Sequence, residues 1–323
     1  SYPLVSRYLN VDYSDINNLN YIRDIIPDSS YTNSRNVVII FMESVGLNRM
    51  GLMGNPLNPT PVLDSLSSNG IFFPKFYIPW VSTSRSVFTM MTGIPDVARR
   101  TSSRNPIIRD QYSIISEFKG YNKNYMIGGS ASWANIRSLI TYNIKEMKII
   151  EMEDFKRPRV DVWGISDLDL FREANKLLEN NEKSKKPSFT IIQTAGNHRP
   201  YTIPSDNEGF EKKDIEDSIL KSAGFKSVEQ FNAMRLLDHS IGNFFKIASE
   251  SSYFDSTIFV LFGDHGTADP KANHMRADDY ELKLRSYNVP LIIYAPKIFK
   301  SSKEVSKVLG LADLMPTIAG ICR

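Results

Sequence analysis

The sequence contains very little cysteine and histidine. Its 323 residues include one cysteine, Cys322, next to the C-terminus, and four histidines. One cysteine excludes an internal disulfide and a zinc site built on several thiolates. Four histidines are too few for the two complete metal sites of a two-metal phosphatase. Any metal chemistry in this chain is therefore predicted to use a single ion.

Long apolar runs and an excess of one charge are also missing. No stretch approaches the ~18 apolar residues of a membrane span, and the chain does not start with a signal-peptide pattern. A membrane anchor, if the protein has one, is expected to lie outside this sequence. The net charge of +3, from 39 basic and 36 acidic residues, is too balanced to predict a nucleic-acid partner.

What the chain does contain is an alternation of apolar runs and helical stretches. Hydrophobic residues make up 41% of the chain and charged residues 23%, as in an ordinary globular protein. Residues 1–35 are polar and weakly periodic, so we predict a linker there and one α/β domain at 36–323. The predicted strands are 36–43, 71–78, 124–129, 188–194, 256–264 and 288–296, and the predicted helices are 60–69, 84–92, 111–119, 166–181, 227–250 and 311–320.

This alternation predicts an α/β fold with a mostly parallel central sheet and helices on both faces. Several of the apolar runs are continuous, which is typical of strands buried on both faces. In open parallel sheets, ligands bind beyond the carboxyl ends of the strands. Residues that directly follow a predicted strand are therefore the first candidates for a functional site.

Three residues at strand ends suit a metal ion. Glu43 follows the apolar run 37–42, where a carboxylate is costly unless it is paired or metal-bound. Asp264 and His265 end another apolar strand and offer an oxygen and a nitrogen ligand for Zn²⁺ or Mn²⁺. Neighbouring residues of a regular strand point to opposite faces, so the backbone is expected to turn here, and Gly263 and Gly266 permit a turn. A hydrogen-bonded Asp–His pair in a tight turn is the alternative interpretation.

Other strand ends carry a hydroxyl and larger side chains. Thr83 and Ser84 precede a predicted helix, where either hydroxyl can cap the helix or act as a nucleophile in its positive potential. Further polar and aromatic residues follow two more strands and are expected at the same edge of the sheet. They are Trp133, Asn135, Arg137 and His198.

Taken in order, these segments resemble the sulfatase-like branch of the alkaline phosphatase superfamily. The most similar family is that of the lipoteichoic acid synthases, which are envelope phosphoglycerol transferases. The resemblance runs from about Asn36 to Gly320. Each segment is weak alone, whereas their order and spacing are specific. They are "NVVIIFMES", "TPVLDSLSSNGIFF", "MTGIP", "GGSASWANIR", "VWGISDLDLF", "AGNHRPY", "FDSTIFVLFGDHG", "VPLIIYAP" and "ADLMPTIAG".

The resemblance implies a sulfatase-like catalytic domain that binds one divalent metal, with Mn²⁺ preferred and Mg²⁺ or Zn²⁺ as alternatives. Thr83, rather than Ser84, matches the family's nucleophile. Arg137 would bind the phosphate, and His198 would be a proton donor or oxyanion partner. The implied metal ligands are Glu43, Thr83, Asp264 and His265, and the implied substrate-binding residues are Trp133, Asn135, Arg137 and His198.

The implied reaction moves a phosphoglycerol group from phosphatidylglycerol, through a covalent Thr83 intermediate, to a hydroxyl of a glycan or polyglycerolphosphate acceptor. The implied location is the cell membrane, with the catalytic domain extracellular or periplasmic. The alternatives are a phosphoethanolamine transferase, a phosphodiesterase, or a non-catalytic relative that binds a headgroup or glycan. This chain departs from the family at Gly128, Gly129 and Ser130, where the family carries a histidine near the glycerol-recognition region. A formylglycine sulfatase is not expected, because "TSRSV" lacks the C/S-x-P-x-R motif.

Overall fold

The computed structural model of the chain describes residues 35–322, together with the isolated residues Pro3, Arg7 and Asn17. The linker predicted at 1–35 lies almost wholly outside the described residues, and the division into linker and domain stays a prediction. Within the described part of the chain, no helix has both the length and the apolar character needed to cross a bilayer.

Nine strands form one sheet in the described part of the chain, and most of its pairings are parallel. The spatial order is β4-β3-β5-β1-β6-β7-β2-β8, with β9 also paired to β2. β7 is antiparallel to both of its neighbours, β6 and β2. The strands are β1 Asn36–Met42, β2 Ile71–Tyr77, β3 Asn122–Ile127, β4 Lys148–Ile150, β5 Ser188–Gln193, β6 Thr257–Gly263, β7 Asn288–Tyr294, β8 Lys303–Glu304 and β9 Leu309–Gly310.

Helices cover both faces of this sheet, as predicted. One apolar core contains buried residues of α2, α3 and α8, and the other contains residues of α1, α4 and α6. Alternate residues of β1 enter the two cores, because successive strand side chains point to opposite faces. The α-helices are α1 Pro61–Asn69, α2 Thr83–Thr92, α3 Ile136–Asn143, α4 Asp167–Lys183, α5 Asp217–Ser222, α6 Val228–Ser249, α7 Ala277–Glu281 and α8 Leu314–Ile321.

The six predicted strands and five of the six predicted helices are present. The helix predicted at 111–119 is wrong, because the segment forms only a 3₁₀ turn at Ile114–Glu117. The helix expected to begin at residue 84 begins at Thr83, with Ser82 as its N-cap. The strands that the sequence did not indicate, β4, β8 and β9, have two or three residues each. Such short elements carry no measurable periodicity.

The topology brings several chain segments to one edge of the sheet. Strands β1, β2, β3, β5 and β6 run in the same direction, so their carboxyl ends share that edge. The residues that follow these five strands are therefore neighbours, although they are far apart in the sequence. They include Glu43, Thr83, Trp133, His198 and Asp264.

The two glycines around Asp264 and His265 have a different role from the predicted one. Neither Gly263 nor Gly266 has the positive φ of a left-handed turn. Each lies instead against a backbone carbonyl. A Cβ on Gly263 would lie 2.1 Å from the oxygen of Val45, and one on Gly266 would lie 2.1 Å from the oxygen of Arg285. Glycine is required at both positions because the backbones approach closely.

We expect Gly263→Ala to destabilise the fold by about 1–3 kcal/mol, since backbone rather than a flexible side chain blocks the new methyl group. Gly320→Ala is the matched control. It lies in α8 with open space where its Cβ would go, so the better helix propensity of alanine should leave stability unchanged or slightly higher. Urea unfolding of the two variants measures this difference. Equal midpoints for both would contradict the packing role of Gly263.

Candidate metal and catalytic site

Glu43, Asp264 and His265 form a cluster of potential metal ligands. One ligand atom from each side chain lies within 4.8 Å of the other two. The pairing of β1 with β6 sets Met42 opposite Gly263, so the residues that follow these strands emerge side by side. Glu43 is 4% exposed and Asp264 is completely buried. The structure therefore brings together the three strand-end residues that the sequence indicated.

Backbone and hydroxyl donors fix the two carboxylates. The Ser44 hydroxyl donates to Oε1 of Glu43 at 2.6 Å. Asp264 Oδ1 accepts the backbone N–H groups of Ser44 and His265, each at 2.7 Å. Ser44 has a φ of 55°, a left-handed conformation that non-glycine residues rarely adopt outside functional sites. This strained residue links both carboxylates.

The remaining polar atoms of the cluster are available to bind a cation. Oδ2 of Asp264 is buried and has no hydrogen-bond partner among the described residues. Nδ1 of His265 lies 2.8 Å from the carbonyl oxygen of Gly266. A carbonyl can only accept, so Nδ1 carries the proton and Nε2 keeps a free lone pair. An unpaired carboxylate oxygen and an imidazole lone pair are suitable ligands for a divalent metal.

The charge balance of the site also favours a cation. Burial raises the pKa of Glu43 well above its usual range, and the nearby negative charge of Asp264 raises it further. Two buried carboxylates repel each other unless a positive charge offsets them. The residues present therefore fit the single divalent metal that the sequence predicts, and the chemistry of the ligands does not select among Mn²⁺, Mg²⁺ and Zn²⁺.

Thr83 is the first residue of α2 and faces this cluster. Its Oγ1 lies 3.4 Å from Oε2 of Glu43 and 3.4 Å from Nε2 of His265. Both distances exceed those of strong hydrogen bonds, so the hydroxyl stays close to both groups without being committed to either. The first N–H groups of a helix have no intrahelical acceptors and create a positive potential. This position suits a nucleophile that attacks an anionic phosphate.

A cavity of about 110 Å³ opens from the cluster. Glu43 and Thr83 form one part of its wall, and Trp133 and His198 form another. The His198 ring lies 4.2 Å from the Trp163 ring, which contacts Trp133 edge-on at 5.7 Å. Nδ1 of His198 lies 2.9 Å from the Arg199 carbonyl oxygen, so it carries the proton when the ring is neutral. Nε2 of the neutral ring is then an acceptor.

The structure places two predicted substrate residues away from this cavity. Arg137 pairs with Glu151 and is not part of the cavity wall. The Asn135 amide donates to the Ser103 carbonyl oxygen at 3.2 Å and faces a separate open cavity. Trp133 and Asn135 are close in sequence, but the left-handed backbone at Ala134 and Asn135 turns them in different directions. Substrate-binding roles for Arg137 and Asn135 stay predictions.

Sequence reasoning did not identify several residues of the site. Trp163 lies in the segment "VWGISDLDLF", but nothing in the sequence indicated that its ring packs against His198 at a tilt. Gln193, the last residue of β5, lines the cavity, and the buried Tyr125 hydroxyl donates to its side-chain oxygen. The position of Gln193 at a strand end was a usable signal. The contact with Tyr125 depends on the pairing of β3 with β5 and was not accessible.

Comparison with protein families shows which family the chain belongs to. The family described as Sulfatase matches residues 35–322. The chain belongs to the sulfatase family. This result confirms the predicted family and fold, and a solved structural neighbour is described as a protein of the alkaline phosphatase superfamily. Members of this superfamily depend on metals, in agreement with the cluster at Glu43, Asp264 and His265.

Individual relatives of this sulfatase-family chain include lipoteichoic acid synthases. The enzyme of Staphylococcus saprophyticus is 24% identical over 302 residues, which cover 88% of this chain and 44% of that protein. This chain thus spans about half the length of the curated relatives that it matches. An alkaline phosphatase superfamily protein of Vibrio parahaemolyticus has a TM-score of 0.75 at 25% identity, covering 92% of this chain and 68% of that one. A Listeria monocytogenes lipoteichoic acid synthase has a TM-score of 0.74 at 20% identity, covering 89% and 72%.

We expect Mn²⁺ to stabilise the wild-type fold and Asp264→Asn to abolish most of this effect. A ligand at about 100 times its dissociation constant adds about 2.7 kcal/mol to stability. The asparagine keeps an oxygen for the two N–H donors but loses the charge, so the affinity should fall at least about tenfold while the fold survives. Thermal unfolding with and without Mn²⁺, together with metal content after dialysis, measures both effects.

Asp238→Asn is the control for losing a buried carboxylate. Asp238 caps α1 through the N–H groups of Val62 and Leu63 and lies outside the ligand cluster. That variant should unfold more easily and still respond to Mn²⁺ like the wild type. An Asp264→Asn protein that binds Mn²⁺ with wild-type affinity would remove Asp264 from the metal site.

The raised pKa of Glu43 predicts how the metal-free protein responds to pH. The folded state holds this proton more tightly than the unfolded state does. Stability from this group is therefore fully present below the ordinary pKa of glutamate and is lost as the pH rises to the raised pKa. Urea unfolding in a chelator should show that the stability of wild type relative to Glu43→Gln falls with rising pH. If the stability difference between wild type and Glu43→Gln stays constant or increases with pH, the pKa of Glu43 is not raised in the folded state.

Proposed function

We propose that this domain transfers a phosphoglycerol group from phosphatidylglycerol to a hydroxyl of a glycan or polyglycerolphosphate acceptor. The observation that carries the proposal is the position of the Thr83 hydroxyl. It stands at the start of α2, 3.4 Å from both Glu43 and His265, at the wall of a cavity that contains His198. Relatives named lipoteichoic acid synthases support the choice of donor and acceptor.

Glu43, Asp264, His265 and the Thr83 hydroxyl would hold the divalent metal, for which Mn²⁺ is our first choice and Mg²⁺ or Zn²⁺ are alternatives. When bound, such an ion lowers the pKa of a coordinated hydroxyl and offsets the charge of a phosphate. The Ser44 and His265 N–H groups hold Asp264 in place for this role. The Ser44 hydroxyl does the same for Glu43.

The first half of the reaction forms a covalent intermediate. Thr83 Oγ1 gives its proton to solvent and attacks phosphorus, and the bond from phosphorus to the diacylglycerol oxygen breaks. The departing oxygen takes up a proton, which His198 in its imidazolium form can supply from Nε2. Diacylglycerol leaves, and phosphoglycerol remains esterified to Thr83. The N–H groups at the start of α2 favour the negative charge that develops on the phosphate oxygens.

The second half returns the enzyme to its starting state. The acceptor hydroxyl gives its proton to Nε2 of the now neutral His198 and attacks phosphorus. The bond from phosphorus to Thr83 Oγ1 breaks, Oγ1 regains a proton from solvent, and His198 is again the imidazolium. Trp133 and Trp163 next to His198 narrow the access of water to the intermediate. Attack by water instead of an acceptor would make the same site a phosphodiesterase.

Sulfate ester hydrolysis is not the activity that we propose, despite the family name. Formylglycine sulfatases derive their nucleophile from a cysteine or serine within a C/S-x-P-x-R motif. This chain has Thr83 at that position, no such motif around it, and its single cysteine at the end of α8. A threonine side chain supports a direct phosphoryl transfer through its own oxygen.

We further propose that the domain works at the outer side of the cell membrane, in the extracellular or periplasmic space. In the cell a donor with two acyl chains resides in a bilayer, so the cavity must reach a membrane surface there. The names of the lipoteichoic acid synthase relatives, which concern a cell-envelope polymer, support this location.

The experiment that tests this function follows the covalent adduct and the released lipid together. The protein is incubated with Mn²⁺ and, in parallel, phosphatidylglycerol or phosphatidylethanolamine, and intact mass and diacylglycerol are measured. We expect a phosphoglycerol adduct and diacylglycerol from wild type with phosphatidylglycerol. Thr83→Ala should form no adduct, and its rate of diacylglycerol release should fall by a factor of about a thousand or more.

Two matched variants define the nucleophile. Thr83→Ser keeps a hydroxyl and should still form the adduct, whereas Ser84→Ala tests the neighbouring hydroxyl and should behave like wild type. An adduct of phosphoethanolamine mass would show that the donor is phosphatidylethanolamine and not phosphatidylglycerol. Absence of an adduct and of diacylglycerol with every lipid, in protein that binds Mn²⁺, would overturn the transferase and favour a hydrolase of soluble phosphodiesters.

A further inference from the structure

Residues 94–109, which follow α2, form a surface loop that we call the arginine loop. Four of its residues, Arg99, Arg100, Arg104 and Arg109, are exposed. None of them forms an ion pair with a carboxylate of a described residue. The exposed Asp110 follows directly after the loop. The outward face of the loop therefore carries a local excess of positive charge.

The acidic residue within the loop points inward and holds the loop in place. Asp96 is 5% exposed and pairs with the buried Arg85 at 3.2 Å. It also accepts the backbone N–H of Ser102 at 3.1 Å. At the other end, the Asn143 amide of α3 donates to the carbonyl oxygen of Ile108 at 2.7 Å. The loop is thus fixed against α2 and α3, and its charges keep a defined position.

Apolar side chains share this surface with the arginines. Val97 is 60% exposed, Ile107 40% and Ile94 38%, and Tyr142 of α3 beside them is 43% exposed. The Arg109 guanidinium lies over the Tyr142 ring at 4.1 Å. Exposed aliphatic residues among cations are typical of surfaces that bind anionic bilayers, because the cations attract headgroups and the aliphatic groups enter the interface. A soluble anionic polymer would use the arginines without needing the aliphatic residues.

An open cavity of about 250 Å³ lies between the loop and α3. Arg104, Arg109, Asn135 and Tyr142 are part of its wall, so two cations and two neutral donors face the same space. Such a set can contact the phosphate and the hydroxyl groups of a lipid headgroup. The cavity adds a specific contact to the general charge attraction of the loop.

The arginine loop contacts the segment that carries one wall residue of the catalytic cavity. The Asn135 amide donates to the Ser103 carbonyl oxygen at 3.2 Å, so the loop contacts the segment that carries Trp133. Trp133 lines the catalytic cavity and is 42% exposed, and Val162 on the same wall is 70% exposed. Two exposed apolar side chains of the catalytic cavity wall thus belong to, or lie across the cavity from, the segment that the loop contacts.

We propose that the arginine loop and Tyr142 form a docking surface for an anionic lipid bilayer. The arginines contact lipid phosphates, and Ile94, Val97 and Ile107 enter the headgroup region. Docking there holds the mouth of the catalytic cavity at the bilayer surface that contains the donor. This inference rests on the proposed function, since a lipid donor is what requires a bilayer at the site.

Binding to vesicles tests the surface separately from catalysis. The protein, as Thr83→Ala to prevent turnover, is sedimented with vesicles of phosphatidylcholine alone or mixed with phosphatidylglycerol. We expect binding to the mixed vesicles that weakens with salt, because exposed charges are screened beyond about 10 Å at 0.1 M ionic strength. Arg99→Ala with Arg100→Ala should weaken it roughly ten- to thirtyfold, at about fivefold per arginine. Val97→Asp should also weaken it.

The matched control removes two charges from the opposite edge of the sheet. Lys183 ends α4 and Lys186 follows in the turn before β5, and both side chains are exposed. Lys183→Ala with Lys186→Ala therefore gives the same loss of net charge far from the loop. Its vesicle binding should stay close to that of the parent. Equal losses for the two double variants, or no binding of the parent to mixed vesicles, would overturn the proposal.

Two further results distinguish a bilayer-docking surface from a binding site for a soluble anionic polymer and from the catalytic site itself. Soluble inorganic polyphosphate should compete weakly. If it binds more tightly than vesicles and Val97→Asp leaves vesicle binding unchanged, the loop is a polymer site and the bilayer proposal fails. With Thr83 restored, the loop variants should still release diacylglycerol from detergent-dispersed phosphatidylglycerol. If Thr83→Ala loses this activity but still binds vesicles, and the loop variants keep the activity but bind vesicles weakly, then docking and catalysis are separate properties.

Discussion

Two carboxylates are held side by side, away from water, at the centre of the sheet edge. Because β1 and β6 pair with Met42 opposite Gly263, Glu43 and Asp264 have no freedom to separate. Their burial and mutual repulsion raise the pKa of Glu43 and would be costly without compensation. Ser44 and the His265 N–H supply part of this compensation. Oδ2 of Asp264 has no hydrogen-bond partner among the described residues, so a cation bound there would add to this compensation.

This constraint explains several local features that otherwise look unrelated. Ser44 adopts a φ of 55° because its N–H must reach Asp264 while its hydroxyl reaches Glu43. Gly263 is glycine because the chain after Glu43 turns back across it and brings the Val45 carbonyl into contact. The Asn197 amide donates to the Glu43 carbonyl at 2.9 Å and fixes the same turn from the side of β5. Backbone strain and close packing are thus consequences of holding the two charges together.

The sequence predicted the central sheet, its buried strands and the three metal-binding candidates, because each depends on a local pattern. A long apolar run followed by a carboxylate can be recognised without knowing which strands are neighbours. The contacts of Trp163 and Gln193 could not be predicted, since they depend on how β3, β5 and the segment before α4 meet in space. The helix predicted at 111–119 failed for a related reason. Ser113 caps a turn there, and the hydrogen bonds of Gln111 and Ser116 to Asn143 hold the segment against the end of α3 as a 3₁₀ turn.

The arginines around the site have two kinds of role: some stabilise the fold through ion pairs, and others are free to attract an anionic surface. Glu151 accepts the Ala131 N–H at 2.8 Å and also pairs with Arg137, so this arginine helps to fix the turn that carries Trp133. Arg85 is likewise used to anchor the arginine loop through Asp96. The cations of the loop itself have no such partners among the described residues. Although the net charge of the chain is only +3, positive charge is therefore concentrated on the arginine loop. Attraction to an anionic bilayer and chemistry at Thr83 can consequently depend on separate residues at the same edge of the sheet.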